Sequence, residues 1–169
     1  MPCRASKSAL SSQQVAALSS GSIAAIETAD IGALKTNAVA ALSTQQLAAI
    51  TTDQIGALGT GQIAALSTNV LANGLTTDQV VALSSNQLTA LSTGQFAALS
   101  TNSIAAIETA DIVGLKTSVI ASLKTGQLAA LTTDQLGALS TGQIAALSTG
   151  SIAALTTDWW PCRRTSSAP

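Results

Sequence analysis

The sequence predicts an all-α solenoid of about nineteen octapeptide repeats, each a short capped helix. Three observations lead there. Aliphatic anchors recur every eight residues from Leu10 through Leu66, slip by one residue, and resume from Leu75 through Leu155. A Ser or Thr followed three residues later by Gln marks a helix start at Ser43 and Gln46, Thr51 and Gln54, Thr76 and Gln79, Ser92 and Gln95, Thr132 and Gln135, and Ser140 and Gln143. Small pairs such as Ala48-Ala49, Ala64-Ala65 and Ala129-Ala130 then favour helix and remove bulk where neighbouring helices approach.

With the anchor as position 1, the octad reads Leu-Ser/Thr-Thr-x-Gln-Ile-Ala-Ala. One continuous helix fails on arithmetic: eight residues at about 100° each overshoot two turns by about 80°, so the anchor stripe would spiral around the rod. A β-solenoid is the alternative fold, but positions 1 and 6 have opposite parity in a strand, and Ala, Gln and Gly are poor strand formers. In the helical reading the anchor and position 6 form a hydrophobic staple around the cap. Fixing eight residues costs about 8 to 16 kcal/mol of backbone entropy, against roughly 3 to 6 from burying two aliphatics. An isolated octad is therefore unstable, and stacking on neighbours must supply the difference.

Along the chain, residues 1–9 read as a disordered basic tail, 10–160 as the repeat solenoid and 161–169 as a second disordered basic tail. The extra residue falls in Leu71-Ala72-Asn73-Gly74-Leu75, where Asn-Gly favours positive φ and a tight turn. Residues 91–150 resemble 10–69 at a shift of 81, so a block of ten octads plus one residue reads as a tandem duplication. Glu27 and Lys35 occupy position 2 of consecutive octads, as do Glu108, Lys116 and Lys124. Side-by-side stacking of consecutive octads would pair these charges and set register. At the C-terminal end Trp159 and Trp160 precede Pro161 and read as a cap over the last open unit.

Composition narrows the function classes. The 169 residues are 47% hydrophobic but only 9% charged and 2% aromatic, against roughly 25% charged in ordinary globular chains. No apolar run reaches the roughly 18 residues of a membrane span, so no transmembrane segment is expected. No secretory signal is visible in residues 1–9, which leaves both a cytoplasmic location and export by a non-classical route open. Three lysines face all eight carboxylates within the array; nucleic-acid binding, which needs a basic stripe, is not expected.

The chain has no His or Tyr, and its two cysteines, Cys3 and Cys162, lie in the tails. No nucleophile stands beside a base, so no enzyme activity and no cofactor are expected. Glu27 with Asp30, and Glu108 with Asp111, offer too few oxygens for a metal. The cysteines read as free thiols, with end-to-end linkage between molecules as the alternative, so self-association is a partner class left open.

Leu75 to Asn86, LTTDQVVALSSN, resembles the opening of a transcription activator-like effector repeat. That similarity covers twelve residues, without the second helix and base-reading loop, and shared helix-start chemistry accounts for it. Over nearly the whole repeat region the octad is similar to LTTxQIAA-type arrays of large bacterial proteins, some surface-associated and some like flagellar hook-length control proteins. The resemblance implies a bacterial structural or surface role.

Position 3 is Thr or Ser in every octad. The candidate surface-binding row is Thr28, Thr36, Thr44, Thr52, Thr60, Thr68, Thr77, Thr93, Thr101, Thr109, Thr117, Thr125, Thr133, Thr141, Thr149 and Thr157. Turned inward to backbone groups, these hydroxyls are structural, the favoured reading; turned outward in a flat row, they suit ice or another ordered surface. The sequence thus supports a non-enzymatic scaffold making protein or surface contacts, with ice or surface binding as the alternative and the partner unspecified.

Overall fold

The computed structural model describes residues 10–159, and these form eighteen short helices with no strand among them. The β-solenoid alternative is thereby set aside. In chain order the helices are α1 (Ser12–Ala16), α2 (Ser20–Ala24), α3 (Thr28–Gly32), α4 (Thr36–Val39), α5 (Thr44–Ala49) and α6 (Thr52–Ala57). Next come α7 (Thr60–Ala64), α8 (Thr68–Gly74), α9 (Thr77–Val81), α10 (Ser85–Ala90), α11 (Thr93–Phe96) and α12 (Thr101–Ala106). The series closes with α13 (Thr109–Gly114), α14 (Thr117–Ala121), α15 (Thr125–Ala129), α16 (Thr133–Ala138), α17 (Thr141–Ala145) and α18 (Thr149–Trp159).

Each octad folds as its letters dictate. Position 2 is the extended N-cap of every helix from α1 to α17, and all six capping boxes expected from the sequence form. At Thr76, for example, the hydroxyl accepts from the Gln79 amide at 3.3 Å while Gln79 Oε1 accepts from the Thr76 amide at 2.9 Å. Each box satisfies two of the donors that a helix start leaves open. Gly59 and Lys124 supply no side-chain cap, yet Gln62 and Gln127 still accept from their backbone amides.

Helices do not pack on their sequence neighbours. Each packs on the third helix ahead, from α1 on α4 through α15 on α18. The chain is an all-α repeat solenoid, with consecutive octads following one another around the coil and third neighbours lying one above the other. Small residues do allow close approach, but between third neighbours: a Cβ on Gly32 of α3 would sit 2.7 Å from the Ala57 carbonyl oxygen of α6. For the same reason packing does not bring Glu27 beside Lys35, because α3 packs on α6 and α4 on α7. The charge pairing expected between consecutive octads therefore has no stacked interface to act in.

Positions 1 and 6 fill the interior. From Val15 to Leu128 every position 6 is buried, because the following turn covers it. In α16 to α18, which have no following turn among the described residues, Leu136 is half-buried and Ile144 and Ile152 are exposed.

Two local departures from the sequence reading stand out. Asn73 and Gly74 do not form a positive-φ turn, and no described residue has positive φ. They extend α8 to seven residues, and Gly74 is required by proximity: an added Cβ would lie 2.7 Å from the Thr44 carbonyl oxygen and 3.2 Å from the Leu47 Cβ of α5. The last octad does not start a helix of its own. α18 runs through Leu155 and Thr156 to Trp159, which occupies position 5 of that octad.

Candidate functional site

The chemistry most characteristic of this fold lies in the side-chain amide at position 5. A Gln carries one carbonyl acceptor and two N–H donors, and burial makes any unused group costly. Here both ends are used. Gln54 Oε1 accepts from the Thr51 amide at 2.9 Å, and its Nε2 donates to the Ile26 carbonyl at 2.6 Å and the Ile23 carbonyl at 3.3 Å. The same geometry recurs at Gln46, Gln62, Gln79, Gln87, Gln95, Gln127, Gln135 and Gln143. Each amide caps the start of its own helix and the end of the helix four places earlier. All nine glutamines are buried, and no buried side-chain polar atom among the described residues lacks a partner.

These bonds set the pitch. A helix packs on its third neighbour and is clamped to its fourth, so one turn takes between three and four octads. The sequence signal was present in the recurrent Gln. The capping box already accounted for that residue, and its second task was therefore missed.

The hydroxyl row lies where the helices begin. Every position-3 residue from Ser12 to Thr149 is the first residue of its helix; Ser12, Ser20 and Thr44 are half-buried and the others in that range are exposed. The favoured inward reading is corrected, since among the described residues none of these hydroxyls bonds a backbone group. Ser85 donates to the Asp111 carboxylate across a turn. Where position 2 is Ser or Thr, as at Ser43, Thr51, Thr76 and Ser140, its hydroxyl already caps an amide of the helix start, which leaves the position-3 hydroxyl no orphan donor to serve. Because a turn is not a whole number of octads, the row winds around the coil.

Among the described residues no three His, Cys, Asp or Glu side chains gather in a way that could hold a metal ion, and no helix is long and apolar enough to cross a membrane. Trp159 is the last residue of α18; Trp160, Cys3, Cys162 and both tails lie outside the described residues. The side chain of Thr157 is likewise outside them.

The segments 23–60, 39–68, 55–93, 73–101 and 104–141 each match the ALTTAQ repeat, and together they span well over half of the chain. The chain belongs to the ALTTAQ repeat family. Neither a curated protein nor a solved structure matches it. The ALTTAQ lettering can be followed in Ala130-Leu131-Thr132-Thr133-Asp134-Gln135, which runs from the end of one helix through anchor, cap and rim hydroxyl to the clamping amide. In this ALTTAQ array the letters thus include the anchor and cap of each octad and the amide that ties one turn to another.

Proposed function

We propose that the array is a non-enzymatic scaffold whose exterior carries protein or surface contacts. The observation that carries this reading is the division of labour within the octad. Aliphatics and most position-5 Gln amides are spent on the interior, while positions 3 and 4 form a repeated, largely exposed rim of Thr, Ser, Gly, Asn, Asp, Gln and Ala. Growth by block duplication lengthens such a surface without disturbing any single cleft.

A photo-crosslinking residue placed at the exposed Thr93 or Thr117, in cells that make the protein, tests the reading. Recurrent capture of one partner, lost when neighbouring rim threonines become lysine, is the expected result. Labelling no greater than that from the same group at the half-buried Ala105 would overturn it.

Exposure of the hydroxyl row keeps binding to ice or another ordered surface as the second reading. Its winding around the coil works against a single flat face, so the expected thermal hysteresis at high protein concentration is nil. A measurable effect that is lost on Thr→Lys substitution along the rim would reverse that ordering.

A further inference from the structure

The clamp series breaks in the interior. Position 5 is Ser103 in α12, Asp111 in α13 and Val119 in α14, so three consecutive helices, though packed on α9, α10 and α11, lack the side-chain amide that would clamp them to their fourth neighbours α8, α9 and α10. Val70 in α8 also lacks a clamp, but α7 and α9 on either side both carry one. At the longer break, the side-chain hydrogen bonds that add to the packing of third neighbours are the Ser85 to Asp111 bond and a 3.4 Å contact from Ser122 Oγ to the Thr93 carbonyl.

Independent features meet at the same place. The inserted residue lies in α8, just below the break, and the anchor after it, Leu75, is half-buried where Leu66 and Leu83 are buried. The exposed Val81 and Val113 sit on α9 and α13, the pair that a clamp from position 111 would join. The helix between them, α11, is held from both sides. Gln95 reaches down to the Ala64 and Leu66 carbonyls, Gln127 reaches in to those of Ala97 and Leu99, and Phe96 is fully buried.

The duplication explains the pattern. Residues 91–150 repeat 10–69 at a shift of 81, so α12 to α14 copy α2 to α4, which have no described turn beneath them to clamp. A leading turn was laid onto the end of the first block.

We propose that this seam is a hinge: α12 to α14 open away from α8 to α10 about α11, and the solenoid bends there rather than flexing evenly. In an array whose stability is a sum of neighbouring interfaces, the interface with the fewest bonds opens first.

Hydrogen exchange of the full chain tests the hinge. Amides in 77–91 and 109–121 are expected to exchange at least about tenfold faster than those in 44–66. Asp111→Gln with Val119→Gln, which places amides within reach of α9 and α10, is expected to slow the seam about fivefold or more and leave 44–66 unchanged. Should the double variant fail to fold, Asp111→Gln alone gives the same reading at a half-buried position. Even protection across the interior, or unchanged seam exchange in a variant folded by circular dichroism, would overturn the hinge.

Discussion

The side-chain amide of Gln79 donates to the Ile50 carbonyl at 2.6 Å and to the Leu47 carbonyl at 2.8 Å, while its oxygen accepts from the Thr76 amide at 2.9 Å. One buried group thus closes two helix ends that are a full turn of the solenoid apart. Replacing it by Ala leaves the Ile50 carbonyl and the Thr76 amide without these partners. Gln79→Ala is expected to cost about 2 to 4 kcal/mol in equilibrium urea unfolding.

Gln79→Glu separates the two roles by pH. A carboxyl group keeps an acceptor for the Thr76 amide, but once ionised it sets a negative charge against two carbonyl oxygens in a buried site. Burial and those dipoles raise its folded-state pKa above the unfolded value of about 4.3. The protonated form is then favoured in the folded state, so its contribution is present below about pH 4 and lost as pH rises through the raised value. Unfolding at pH 4 and pH 7 should show the variant's deficit relative to wild type growing with pH; a pH-independent deficit would exclude this account.

Gly74 and Gly61 should respond to Ala in opposite directions. At Gly74 the new methyl meets the Thr44 backbone, which cannot swing aside, whereas nothing lies within 4 Å at Gly61. Gly74→Ala is expected to destabilise by about 1 to 3 kcal/mol. Gly61→Ala, in the first turn of α7, is expected to stabilise by up to about 1 kcal/mol through helix propensity. Thermal unfolding of the two variants side by side decides the sign.

Local chemistry was legible in the sequence, and distant pairing was not. Spacing between cap, Gln and staple residues, as in Thr76, Gln79, Leu75 and Val80, places a helix in each octad because those contacts close within it. The pitch depends on which octads meet, and near-identical repeats do not distinguish a third neighbour from an adjacent one. That is why the register expected for Glu27 and Lys35 fails, and why Asn73-Gly74 reads locally as a turn when Thr44, thirty residues earlier, is what requires the glycine. The candidate row was legible as a pattern, but its direction was not, since either face of a helix start can carry a hydroxyl.

Adjacent hydroxyls in one octad should carry unequal weight. Ser140 Oγ accepts from the Gln143 amide at 3.3 Å and caps α17, whereas Thr141 is exposed at the first helical position. Ser140→Ala is expected to cost about 1 kcal/mol, and Thr141→Ala to stay within about 0.5 kcal/mol of wild type. Chemical denaturation of the pair tests whether caps and rim are separate structural roles; equal losses would tie the rim to stability.

Position 6 offers the sharpest comparison, because one residue type meets two environments. Ile55 is 0% exposed beneath the following turn, while Ile144 is 46% exposed in α17. Truncating Ile55 to Ala removes buried methylenes and leaves a cavity that the packed turns cannot fill, a cost of about 2 to 5 kcal/mol. Truncating Ile144 removes groups that already face water on one side, and helix propensity favours Ala there, so the cost is expected to be below about 1 kcal/mol. Similar losses in urea unfolding at both positions would mean that something outside the described turns covers Ile144 in solution.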